Sequence, residues 1–197
     1  MSIRNVCIIA VIVAFGLEPA VSAESTTVKS DTVPIATVLS AVAERTGKKF
    51  IVDPRVQGDV LLRENPASLS YDDFLVLMQV HGFAAVTNGQ YVRVVPEAVV
   101  RQLALPTATD DKHPLAEYVN RIVPVKSVPA AMLVPLLRPL IPQQGHLVAL
   151  PCTNDLLIVD TFGNIQRLEK LIKSLDRGEP YAPTKCTISA TEKRGDA

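Results

Sequence analysis

Apolar positions in the first part of the chain predict a helix followed by two short strands. The helical spacing is carried by Ile35, Val38, Leu39, Val42 and Ala43. Asp31 or Thr32 is expected to cap this helix, with Pro34 in its first turn. Gly47 is expected to end it, because glycine tolerates the left-handed conformation. Strands are predicted at residues 49–53 and 56–64, on either side of a tight turn at Pro54.

A second helix and a hairpin complete this first unit. Ser70 and Asp73 have the spacing of a capping box, and Gly82 is expected to end the helix. The buried stripe of the helix is predicted to consist of Phe74, Leu77 and Met78. Apolar runs at 83–87 and 90–95 flank Asn88-Gly89, which predicts a hairpin with a type I′ turn.

Pattern is lost over residues 101–118, which are rich in proline, threonine and charge, and resumes at residue 120. The second unit is predicted as strand, helix, strand, strand, helix, with the strands at 120–128, 145–151 and 155–160. Ser127 and Thr161 are expected to cap its two helices. The first helix is expected to be short or kinked, because Pro135 and Pro139 interrupt its hydrogen bonds.

The apolar faces of these two helices also follow from spacing. The first is predicted to bury Met132, Leu133, Leu136, Leu137 and Leu140, and the second to bury Ile165, Leu168, Ile172 and Leu175. The fold class is therefore α+β, with two small αβ domains in sequence. The expected boundaries are a first domain at 24–96, a linker at 97–119, a second domain at 120–177 and a disordered tail at 178–197.

The first 23 residues read as a secretory signal peptide. Arg4 supplies the positive start, residues 6–17 form an apolar core, and small residues precede a cleavage point after Ala23. An uncleaved membrane anchor is the alternative. The mature chain is therefore expected in an oxidising, extracytoplasmic compartment, in which Cys152 and Cys186 are candidates for a disulfide.

Composition narrows the classes of function. The chain of 197 residues carries 20 Lys and Arg against 20 Asp and Glu, so a basic surface for nucleic acid is not expected. No nucleophile elbow, phosphate loop or zinc motif occurs, and His81, His113 and His146 are scattered. We therefore expect no enzyme activity, no catalytic or metal-binding residues, no cofactor and no small-molecule substrate.

The stretch TGKKFIVDPRVQGDV, residues 46–60, is the segment that most resembles a reactive site. Asp53 and Asp59 are better explained as turn formers, since aspartate accepts hydrogen bonds from nearby backbone N–H groups. Lys48 and Lys49 follow a helix C-terminus, where cations are stabilised by exposed carbonyls, whereas phosphate binds at helix N-termini. The segment is interpreted as framework.

Longer stretches of the sequence resemble the N-terminal domains of secretins. VLSAVAERTGKKFIVDPRVQGDV and FLVLMQVHGFAAVTNGQYVRVVP resemble the N0 domain of the type II secretion secretin. Residues 120–177, which begin NRIVPVKSVPAAMLVPLLRPL, resemble the KH-like N1 domain that follows it, including the prolines of its first helix. The resemblance covers about residues 33–177.

The resemblance implies a role in protein secretion through protein–protein contacts. In that family N0 contacts an inner-membrane component and N1 packs against neighbouring subunits in a ring below an outer-membrane channel. The expected partners are therefore secretion-system components or further copies of this chain. We do not expect the printed sequence to form the channel itself, and a stand-alone accessory and a truncated secretin both remain open.

Two further points stay open at the level of sequence. The strand near residue 56 is a candidate contact surface, through Val56, Gln57, Val60, Leu61 and Leu62, because exposed strand edges accept partner strands. An internal, already paired strand is the alternative. A signalling module like that at the front of some TonB-dependent receptors is the alternative function, although those receptors lack a second unit of this kind.

Overall fold

The computed structural model describes residues 32–182. The predicted signal peptide, Asp31, Cys186 and most of the predicted tail lie outside the described residues. The helices are α1 (Ile35–Thr46), α2 (Tyr71–Val80), α3 (Ala130–Leu137) and α4 (Phe162–Leu175). The strands are β1 (Thr32–Pro34), β2 (Lys49–Val52), β3 (Asp59–Leu61), β4 (Phe83–Asn88), β5 (Tyr91–Pro96), β6 (Tyr118–Pro124), β7 (His146–Leu150) and β8 (Asp155–Thr161). The α+β prediction is confirmed.

The first half contains two small sheets that share one core with α1 and α2. Strands β1 and β3 pair antiparallel, while β5 lies between β2, which is parallel to it, and β4, which is antiparallel. Side chains from both sheets and both helices meet in this core, among them Val60, Val38, Phe74 and Val94. Burial of this apolar surface is the main stabilising contribution to such a unit.

Helix α1 ends as predicted but does not begin as predicted. Gly47 has a φ of 67°, and its N–H donates to the carbonyl of Ala43 at 2.9 Å. Pro34 occupies the N-cap position, no side chain caps the helix, and the N–H of Ile35 donates to the carbonyl of Gly58. The prediction of a cap at Thr32 is wrong, because residues 32–34 pair with β3 as a strand.

The capping box at the start of α2 is confirmed. Ser70 Oγ accepts a hydrogen bond from the N–H of Asp73, and Asp73 Oδ2 accepts one from the N–H of Ser70, both at 3.1 Å. Two of the otherwise unsatisfied donors at the helix start are thereby paired.

The hairpin is present, but its turn lies one residue later than predicted. Asn88 pairs with Tyr91 in the register of β4 and β5, so the connecting residues are Gly89 and Gln90. Only Gly89 has positive φ, at 60°. Glycine at the first connecting residue is the requirement of a type II′ turn, so the predicted type I′ turn at Asn88-Gly89 is wrong.

The second half has the predicted order of elements, β6-α3-β7-β8-α4. Its antiparallel sheet has the strand order β6-β8-β7, and α3 and α4 share one core with it. Strand β6 begins at Tyr118, two residues earlier than expected. Helix α3 is short, as the prolines predicted, with eight residues and Pro135 inside it. A 3₁₀ turn follows at Arg138–Leu140.

The apolar face of α3 is narrower than predicted. Leu133 and Leu137 are buried, whereas Met132 and Leu136 are 65% and 61% exposed. Residues four apart on a helix share a stripe, so the eight-residue helix presents one stripe to the sheet and a second one to solvent. Burial of Leu140 and, in α4, of Leu175 was also predicted wrongly, since both side chains are exposed.

Helix α3 is capped by a residue from far along the chain rather than by Ser127. Asn154 Oδ1 accepts from the N–H of Ala130 at 2.8 Å, and Asn154 Nδ2 donates to the carbonyls of Val125 and Val128. Thr161 occupies the predicted N-cap position of α4, but its side chain makes no capping hydrogen bond.

Asp176, at the end of α4, holds the loop before α3. Its carboxylate accepts from the backbone N–H groups of Lys126, Ser127 and Val128 at 2.8, 2.5 and 3.2 Å. Burial alone would raise the pKa of Asp176, but these three donors outweigh it and the pKa is lowered.

Substitution of Asp176 by alanine is expected to lower the free energy of unfolding by on the order of 1 kcal/mol at pH 7. Because the folded-state pKa lies below the unfolded value, the stabilisation is present above the unfolded pKa and is lost as pH falls through the folded pKa. Urea denaturation at pH 7 and below pH about 4 measures this. An Asp176→Ala effect independent of pH would contradict it, and Asp176→Asn serves as the control of similar size that does not titrate.

Candidate interaction surfaces

Strand β3 lies at the edge of a two-stranded sheet. Some side chains in and next to this strand are buried in the core, and others are exposed to solvent. Within residues 32–182, β1 is the strand paired with β3, so the other side of β3 is open. Val56 and Val60 are buried, Gln57 and Leu61 are exposed, and Leu62 is half-buried. Of the five residues predicted as a contact strand, only Gln57, Leu61 and Leu62 can present side chains to a partner.

A groove runs beside this edge, between β3 and α2. It has a volume of about 490 Å³ and is lined by apolar side chains of both elements, including Leu61, Val76 and Val80. Glu64 and Asp73 also line it. Leu61, Val76 and Val80 are each at least half exposed, so the groove joins the open strand edge to an apolar helix face.

The stretch at residues 53–55 that resembled a reactive site is a closed ion pair. Arg55 donates Nε to Asp53 Oδ1 and Nη2 to Asp53 Oδ2, both at 2.9 Å, and the backbone N–H of Arg55 also reaches Oδ1. These hydrogen bonds lower the pKa of Asp53 to about 2. Both carboxylate oxygens of Asp53 therefore hold the turn in place, which agrees with the interpretation of this segment as framework.

The second domain has apolar surface on both of its faces. On the sheet face away from the helices, Ile122, Leu157 and Val148 lie side by side in the register of β6, β8 and β7. Ile122 is 54% exposed. On the helical side, Met132 and Leu136 of α3 form the second exposed stripe.

The two halves are joined by a third core that the sequence did not indicate. Ala84, Val86 and Val95 on one face of the first sheet pack with Val100 and with Tyr118, the first residue of β6. The Tyr118 hydroxyl donates to a carboxylate oxygen of Glu97.

The segment predicted as a linker, residues 97–119, is tied to both halves. Its first six residues, Glu97–Gln102, form a 3₁₀ helix. Thr107 forms an isolated parallel β-bridge with Asn120 of β6. The Glu117 carboxylate accepts a hydrogen bond from the Thr87 hydroxyl of β4, and its other oxygen lies 2.8 Å from His113 Nδ1. The segment orders the approach of the chain to β6.

Chemical sites are scarce in the described part of the chain. No three His, Cys, Asp or Glu side chains of residues 32–182 are grouped so that they could hold a metal ion. None of the four helices has the length and apolar character needed to cross a bilayer. Cys152 is a disulfide-bonded cysteine, and its pairing with Cys186 stays a prediction because Cys186 lies outside the described residues.

Both halves of the chain match known protein families. Residues 28–94 match the GspD-like N0 domain, and residues 120–180 match the short domain of bacterial type II/III secretion systems. The secretin XcpQ of Pseudomonas aeruginosa is 39% identical over 142 residues, which cover 71% of this chain and 21% of XcpQ. The secretin PulD of Klebsiella pneumoniae is 30% identical over 145 residues, covering 70% and 22%.

A solved structure shares the fold. The outer membrane complex of the Klebsiella pneumoniae type II secretion system, with PulD, PulS and the PulC HR domain, aligns with a TM-score of 0.64 and 28% identity. The alignment covers 77% of this chain and 27% of that one. The chain thus spans about a fifth of the length of the curated relatives, in their N-terminal part.

Proposed function

Because this chain belongs to the type II secretion secretin family through its N0 and N1 domains, we propose that it takes part in protein secretion by binding other secretion components. The observation that carries the proposal is the match of two consecutive secretion-system domains, at residues 28–94 and 120–180. Open strand edges and exposed apolar stripes support a role in binding, since surfaces of this kind accept protein partners.

The first proposed partner is a periplasmic domain of an inner-membrane component. PulD is assembled with the PulC HR domain in the Klebsiella complex, and the counterpart of that domain is proposed to bind this chain. The open side of β3 would supply backbone groups to a partner strand. Leu61, Val76 and Val80 would supply the apolar contact in the adjoining groove.

The second proposed partner is another copy of the chain, in a ring. The exposed sheet stripe at Ile122 and Val148 and the exposed helix stripe at Met132 and Leu136 lie on different elements of one domain. Contact between two non-identical patches is heterologous, and such contacts close into rings when the rotation permits.

The proposed location is the periplasm after cleavage of the signal peptide, in association with an outer-membrane secretin complex. The alternative, a signalling module like that of TonB-dependent receptors, rested only on the likeness of the first domain to a domain of those receptors. The match of residues 120–180 to a secretion-system domain does not favour it. The proposed role requires no catalytic residue and no cofactor.

A secretion assay tests the proposal. Deletion of the gene should lower the extracellular level of type II substrates, and the wild-type gene should restore it. Leu61→Asp should fail to restore it, because a charge at this exposed edge residue opposes burial against a partner. Leu171→Asp, at an exposed apolar residue of α4, is the matched control and should restore secretion. Normal secretion in the deletion strain would overturn the proposal.

A further inference from the structure

Strand β2 is a second open edge, in the other sheet of the first domain. The strand order β2-β5-β4 places β2 at the border, and no strand within residues 32–182 pairs with its outer side. The N–H of Asp53 donates to the carbonyl of Val94 in β5. Since backbone groups of alternate residues point to opposite sides of a strand, those of Phe50 and Val52 point away from β5.

The surface on the helix side of this edge is apolar. A groove of about 380 Å³ lies between α1 and β2. Its lining includes Ile35, Leu39, Phe50, Val52 and Val56, and Ser40 is its one polar lining residue. Val52 is 38% exposed, so the groove reaches the open edge. A strand added to β2 would direct every second side chain into this groove.

The surface on the opposite side of the edge is basic. Lys49 and Ile51 pair with Tyr91 and Arg93 in the parallel register of β2 and β5, and the Lys49 ammonium lies 6.0 Å from the Tyr91 ring. The nearby carboxylate of Asp53 is engaged by Arg55 on both oxygens. Lys49 and Arg93 therefore give this face an excess of positive charge.

We propose that the outer edge of β2 binds an extended segment of a partner protein in which apolar and acidic residues alternate. The apolar side chains enter the groove beside Phe50 and Val52, and the intervening carboxylates face Lys49 and Arg93. Backbone hydrogen bonds supply affinity in such strand addition, and the alternating side chains supply specificity. This binding edge belongs to a different sheet from β3, and the inference does not depend on the proposed function.

Fluorescence anisotropy with labelled eight-residue probes tests the proposal. The probe with four Glu-Val repeats is expected to bind the mature wild-type chain at least tenfold more tightly than the probe with four Lys-Val repeats. N-methylation of alternate residues in the Glu-Val probe should weaken binding at least tenfold, because the methylated backbone cannot donate to the edge. Equal binding of the acidic and basic probes, or binding of neither, would overturn the proposal.

Charge reversal at Lys49 and Arg93 provides a second test of the proposal. The variant Lys49→Glu/Arg93→Glu should prefer the Lys-Val probe, whereas the control Lys170→Glu/Lys173→Glu, on α4, should retain the preference for the Glu-Val probe. Thermal unfolding of each variant checks that it is folded. An unchanged preference in the Lys49→Glu/Arg93→Glu protein would contradict the assignment. A wild-type dimer that this variant abolishes would identify a second copy as the occupant and would also overturn it.

Discussion

Replacement of Asn154 by alanine is expected to lower the free energy of unfolding by about 3 kcal/mol, since three hydrogen bonds of about 1 kcal/mol each are lost. The side chain is 3% exposed and connects the N–H of Ala130 with the carbonyls of Val125 and Val128. Asn154 also has a φ of 59°, a conformation that alanine adopts less readily than asparagine. No other side chain of the described residues donates to or accepts from these three groups.

Urea denaturation of three variants separates the two causes. Asn154→Gly removes the same hydrogen bonds but tolerates positive φ, so it should be more stable than Asn154→Ala by about 1 kcal/mol. Asn88→Ala, at the exposed end of β4, is the control and should stay within about 0.5 kcal/mol of wild type. An Asn154→Ala protein as stable as the control would show that the cap of α3 contributes little.

Replacement of Tyr118 by alanine is expected to cost about 3–5 kcal/mol, the range for loss of a large buried aromatic side chain. Tyr118 is 2% exposed and packs against Val86 and Val100, in the core between the two halves. Its loss should also uncouple the halves, because this core contains residues of the first sheet and the first residue of β6. A single unfolding transition of wild type should then divide into two.

Denaturation followed by circular dichroism, together with limited proteolysis of residues 103–117, measures both effects. Tyr118→Phe keeps the ring but leaves Glu97 without the hydroxyl donor, so its cost should be nearer 1–2 kcal/mol. Tyr91→Ala, at a partly exposed residue of β5, is the control for loss of an aromatic ring. One cooperative transition of unchanged midpoint in Tyr118→Ala would contradict a shared core.

Local signals in the sequence predicted the elements of the fold well. The capping box at Ser70 and Asp73 and the helix end at Gly47 depend on residues within a few positions of one another, so they are readable before any tertiary contact is known. The short length of α3 followed from Pro135 in the same way. The hairpin was predicted, but the placement of its turn depends on strand register, which the dipeptide Asn88-Gly89 does not specify.

Features that depend on distant residues were not predictable. The cap at Ser127 was inferred from its residue type, whereas the loop before α3 is held by Asn154 and Asp176, which lie 24 to 50 residues away from the groups they bind. The packing of Tyr118 against the first sheet likewise has no local signature. In the predicted contact strand, alternation places Val60 in the core and Leu61 in solvent, and its contact with a partner stays a prediction.

The proposed function depends above all on binding of a periplasmic domain of an inner-membrane secretion component to the β3 edge of this chain. Calorimetric titration of the mature chain with the counterpart of the PulC HR domain from the same organism tests it most directly. We expect saturable binding that Leu61→Asp weakens at least tenfold and that Leu171→Asp leaves unchanged. Absence of binding, or equal weakening by the two variants, would contradict it.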